Sequence, residues 1–112
     1  MASLRIEKVN ELLQHNVSAI LTKEVSLKIG VFVTVARVST SPDLRRSKIL
    51  VSVFPASEGQ YVLQTLKKEL YGIQGALNQQ LHMRPLPRIQ FALDTTEEEA
   101  QKVEDILRDL RS

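Results

Sequence analysis

The chain reads as an α+β domain, helices covering one face of a three-stranded sheet, because of three features of its 112 residues. Residues 5–24 carry apolar side chains at three- and four-residue steps, the period of one helical face. Two β-branched stretches, 31–39 and 47–54, flank Ser41-Pro42-Asp43, which is the grammar of an antiparallel hairpin. Beyond the hairpin, helical periodicity returns, yields to an alternating segment at 89–93, and returns again, giving the order α-β-β-α-(kink)-α-β-α. The length suits one domain, 1–112, and no repeat, low-complexity tract or linker divides it.

Each element has its own signal. Ile6, Val9, Leu12, Leu13, Val17, Ile20 and Leu21 form the apolar face of the first helix, and Gly30 ends the pattern. In the first strand the alternation slips between Val35 and Val38, which predicts a bulge. The second strand sets Ile49, Val51 and Val53 on one face and Lys48, Leu50 and Ser52 on the other. Ser57 with Gln60 has the spacing of a capping box before the stripe Val62, Leu63, Leu66 and Leu70. Glycines at 72 and 75 interrupt that helix, and the pattern resumes with Ile73, Leu77 and Leu81. Pro85 and Pro87 stop it. Ile89, Phe91 and Leu93 alternate as the third strand. Thr96 with Glu99 opens a last helix faced by Ala100, Val103, Ile106, Leu107 and Leu110.

Composition excludes several functions. There is no cysteine, hence no disulfide and no thiolate chemistry. No apolar run is long enough for a bilayer span, and the first residues lack the apolar core of a signal peptide, so the expected location is cytoplasmic. The net charge is +2, and its distribution matters more than its size. Between Arg37 and Arg88 stand eight Lys or Arg against Asp43, Glu58 and Glu69, whereas from Asp94 onward acidic residues outnumber basic ones. His15 and His82 are isolated and lack metal-ligand spacing. Glu97-Glu98-Glu99 is explained by the dipole of the helix it opens. Ser39, Ser41 and Ser47 have no partner base, so nothing supports catalysis, and no metal or cofactor is implied.

In order and spacing the residues resemble the ribosome-binding factor A family. The likeness rests on Arg5, Lys8, Val9, Leu13, Val17, Ile20 and Leu21 in the first helix. It continues through Val33-Thr34-Val35, Val38, Ser41-Pro42-Asp43-Leu44 and Lys48-Ile49-Leu50-Val51-Ser52 in the hairpin. Phe91, Asp94, Thr96, Val103, Ile106 and Leu107 keep its final strand-to-helix spacing. The resemblance implies a type II KH fold in a bacterial, non-enzymatic factor. Such a factor binds the small (30S) ribosomal subunit and its 16S rRNA and assists rRNA processing and subunit maturation. It further implies a monomer with no small-molecule substrate and no membrane partner. Two departures stand out. The family has a small residue, any residue, then glycine at the kink between its paired helices; ungapped counting puts Glu69-Leu70-Tyr71 there, with the glycine moved to Gly72. The helix that follows is rich in Arg and Lys in the family, and here carries Gln74, Gln79, Gln80 and His82.

The candidate RNA-binding set is Arg37, Arg45, Arg46, Lys48, Lys67, Lys68, Arg84 and Arg88, which neutralise phosphate if they share a surface. To these Gly72 and Gly75 are added. Gly72-Ile73-Gln74-Gly75 spells GxxG, the loop with which KH domains clamp a nucleic-acid backbone. Phe54, Tyr61 and Tyr71 are the aromatics expected outside the core, too few for a stacking platform. Two alternatives stay open: a KH-like protein-interaction module that has lost most RNA affinity, and a homodimer burying its strand edge.

Overall fold

The computed structural model describes residues 2–83, 86–95 and 105–110. Helix α1 runs Ala2–Glu24, strand β1 Phe32–Thr40 and strand β2 Arg46–Phe54. A short 3-10 turn, Ala56–Glu58, leads into helices α2, Gly59–Lys68, and α3, Leu70–Gln80, and then strand β3, Arg88–Leu93. Residues 105–110 are helical; the expected capping box at Thr96 and Glu99 lies outside the described residues.

The sheet order is β1-β2-β3, with β2 antiparallel to β1 and parallel to β3. A parallel neighbour requires a crossover of a dozen or more residues, and α2 and α3 provide it. The predicted bulge falls between Val35 and Arg37, where Ala36 has no partner on β2. That one extra residue keeps Val35 and Val38 on the same, buried face. On the helical side, Leu13, Val17, Ile49, Val51, Val62, Leu66 and Leu77 are fully buried. Each of their side chains contributes about 1.5–3 kcal/mol relative to remaining in water.

Three local expectations are corrected. First, Ser57 caps nothing: the Glu58 N–H bonds the Pro55 carbonyl at 3.0 Å, and α2 starts at Gly59 with no side-chain cap. Gly59 lies against β3, where an added Cβ would come 3.1 Å from Leu93 Cδ1. Second, the break between the paired helices is at Glu69, not at the glycines, and Gly72 and Gly75 are both within α3. Glu69 is therefore where ungapped counting put the kink. Third, Leu12 is exposed on the rim of α1, and Ile106, Leu107 and Leu110 are exposed on the final helical segment, which covers no part of the core through them.

Candidate nucleic-acid interface

Because Ile49 and Val51 point into the core, Arg46, Lys48 and Phe54 must point out of the opposite side of β2. Register then decides what joins them. Arg46 is the lateral partner of Arg88, and Lys48 lies between Ser39 on β1 and Gln90 on β3. Leu50 lies between Arg37 and Ala92. Arg37, Arg46, Lys48 and Arg88 are thus brought from three strands onto one sheet face that no described helix covers, and all four are exposed. Among the described residues, no carboxylate forms a salt bridge with Arg46, Lys48 or Arg88. Like charges directly opposite one another on a sheet repel. The Arg46–Arg88 pair therefore carries an electrostatic cost that the fold itself does not relieve.

Arg37 differs from the other three. Its guanidinium lies 3.6 Å from the Asp94 carboxylate, whose side chain is only 13% exposed. This pair lowers the net positive charge in the middle of the face.

The turn that delivers these cations is built by its own polar side chains. Ser41 Oγ donates to Asp43 Oδ1 at 2.6 Å, the Arg45 N–H donates to the same oxygen at 3.0 Å, and the Arg46 N–H donates to Ser41 Oγ at 3.1 Å. Those bonds, the Ser41 hydroxyl first and the Arg45 amide next, hold the Asp43 carboxyl below the usual aspartate range. Leu44 adopts φ 61° and is half-buried against the core. Arg45 stays exposed at the turn, and its carbonyl accepts the Arg88 N–H at 2.9 Å, extending the β2–β3 ladder. Below the turn, Thr40 and Ser47 share a buried hydroxyl contact at 2.8 Å, and Thr40 Oγ1 also donates to Asn10 on α1.

The remaining candidates are elsewhere. Lys67 and Lys68 are exposed in the last turn of α2, on the helical layer, where they complement the helix dipole. Arg84 lies outside the described residues. Gly72 and Gly75 are exposed on α3, and a Cβ at either would meet nothing within 4 Å, so no close backbone approach uses them here. The residues between them serve the fold. Ile73 is buried, and Gln74 Oε1 accepts the Ile89 N–H at 2.9 Å while its Nε2 donates to the Pro87 carbonyl at 3.2 Å. Gln74 thereby fastens α3 to the start of β3.

Sequence reasoning missed two groups. Arg5 and Lys8 line a cleft with Val9, Leu12, Leu44 and Met83 beside the hairpin turn, adding positive charge at that end. Helical periodicity alone could not place them next to Leu44. Phe32 is the second, and it corrects the expectation that too few aromatics lie outside the core for stacking, because it pairs with Phe54 on one face. It is the lateral partner of Phe54, and the two rings are 63% and 70% exposed on the same face as the cations. The parity of Phe32 against Val33 and Val35 was the available signal. Tyr61, by contrast, is half-buried, with Lys28 Nζ 4.6 Å from its ring centre and its hydroxyl accepting the Lys28 N–H at 3.1 Å. No described helix is long and apolar enough to cross a membrane.

Comparison with known proteins agrees with this architecture. The family model for ribosome-binding factor A matches residues 5–107. Ribosome-binding factor A of Thermomicrobium roseum is 34% identical over 113 residues, covering 99% of this chain and 87% of that protein. The Chlorobium phaeobacteroides factor is 33% identical over 112 residues, covering 97% and 96%. The crystal structure of the Thermus thermophilus factor superimposes with a TM-score of 0.70 at 22% identity, over 79% of this chain and 94% of that one. Thermus thermophilus coordinates fitted into a cryo-EM map of a complex with 30S give 0.65 at 24% identity, over 77% and 91%. With matched residues spanning most of its length, the chain belongs to the ribosome-binding factor A family.

Proposed function

We propose that the chain is a non-catalytic ribosome-assembly factor of the cytoplasm. It docks on the small (30S) ribosomal subunit, contacts 16S rRNA and assists its processing and maturation. Membership of the family supports this, as does the Thermus thermophilus factor placed in a map of a 30S complex. One observation in this chain carries the reading: Arg46 and Arg88 stand side by side, with Lys48 next to them, on a solvent-facing sheet and without an ion-pairing carboxylate among the described residues. Phosphate relieves that repulsion, and counterions leave as it binds. The Gln-rich third helix does not weaken this contact, because the cations concerned lie on the other layer. Arg45 at the turn, with Arg5 and Lys8 in the cleft lined by its neighbour Leu44, extends the positive end.

Sedimentation of cell extract tests the reading. The chain is expected to travel with small-subunit particles in low salt and to leave them in high salt. Retention that ignores salt, or absence from every ribosomal fraction at low salt, contradicts it.

A further inference from the structure

We infer that the open sheet face is a binding surface for an unpaired RNA strand, with phosphates held at the Arg46–Lys48–Arg88 end and bases stacked on Phe32 and Phe54 at the other. This rests on the reading above and specifies the form of RNA that the face accepts. The outer face of the sheet is graded along β2. At the turn end it is Arg46 beside Arg88, then Lys48 between Ser39 and Gln90. In the middle, Leu50 and Ser52 lie near the neutralised Arg37–Asp94 pair. The far end is the Phe32–Phe54 pair. From Lys48 to Phe54 the strand advances six residues, about 20 Å at about 3.3 Å per residue. That span suits a short single strand of about four nucleotides, the lower end of known single-strand sites.

Three features favour this occupant over others. The core does not require the phenylalanines: their neighbours Val33 and Val53 pack against it, whereas both rings stand in solvent. A base-paired helix would present phosphates to Arg46, Lys48 and Arg88 but leave the rings uncovered, because its bases are stacked inside. An apolar protein surface would cover the rings yet give the cations no counter-charge. Only an unpaired strand offers anions and exposed flat bases together, and Gln90 and Ser39 supply hydrogen-bonding groups beside the cations.

The test uses the full chain and a labelled eight-nucleotide oligouridylate, with an RNA duplex of equal charge and purified immature small subunits in parallel. F32A/F54A is expected to weaken oligouridylate binding by at least about fivefold per ring. The same variant leaves duplex binding unchanged and lowers the melting temperature by no more than a few degrees, the loss of one cross-strand aromatic pair. F32Y/F54Y restores affinity because it restores the stacking faces. F32L/F54L does not, because leucine keeps apolar surface without a flat π-face. Equal binding of oligouridylate by wild type and F32A/F54A overturns the inference, as does full affinity in F32L/F54L. If small subunits still bind with steep salt dependence in that case, the phosphate-docking reading survives without it. If small subunits do not bind at all, that reading has failed as well.

Discussion

Single side chains here divide sharply between holding the fold and facing solvent. The Gln74 amide stands in for a strand edge toward Pro87 and Ile89. Q74A leaves the N–H of buried Ile89 without its partner, which costs about 1–3 kcal/mol. Thermal unfolding should show a fall of roughly 4–13 °C, with RNA affinity unchanged under conditions where the variant is folded. Asp43 makes a second prediction. Its folded carboxyl titrates below the ordinary aspartate value because Ser41 and the Arg45 amide bond its ionised form. A depressed folded value means the stabilisation is present above the unfolded aspartate value and is lost as pH falls through the folded one. Carboxyl chemical shifts followed by NMR should give a lower midpoint for Asp43 in wild type than in S41A. Equal midpoints would remove the Ser41 hydroxyl as the main cause.

At the scale of elements, the hairpin was largely legible because alternation, a Pro-Asp turn and a slipped register all speak through local sequence. The bulge and the buried face of β2 follow directly from it. The helix pair was less legible. Two glycines suggested a loop, yet Ile73 buried in the core and Gln74 bonded across to β3 keep that segment helical, and tertiary contacts outweighed local propensity. The β2–β3 pairing was not legible: nothing local to Arg88 announces Arg46 as its neighbour, because that register is set across the α2–α3 crossover. The described part of the last helix gives another prediction. Residues 105–110 are all exposed, so their amides should exchange with solvent faster than those of α1 around Leu13 and Val17, read by hydrogen exchange. Comparable protection in the two segments would contradict that expectation.

Over the whole molecule, the sheet packs Val35, Val38, Ile49, Val51, Ile89 and Phe91 on its helical side and turns Arg46, Lys48 and Arg88 outward, so the core and the proposed contact lie on opposite faces. Mutations of the outer face should therefore leave folding nearly untouched. R46A/K48A/R88A is expected to melt within a few degrees of wild type, or slightly above it, since it removes repulsion rather than packing. Its effect belongs to affinity. The most direct measurement is equilibrium binding to purified immature small subunits across roughly 50–200 mM salt, for wild type and for this variant. Each lost phosphate contact lowers the log–log slope by about 0.7–0.9, so the three substitutions together should reduce it by about 2 to 3. A folded variant with the slope and affinity of wild type would contradict the assignment of this face to rRNA.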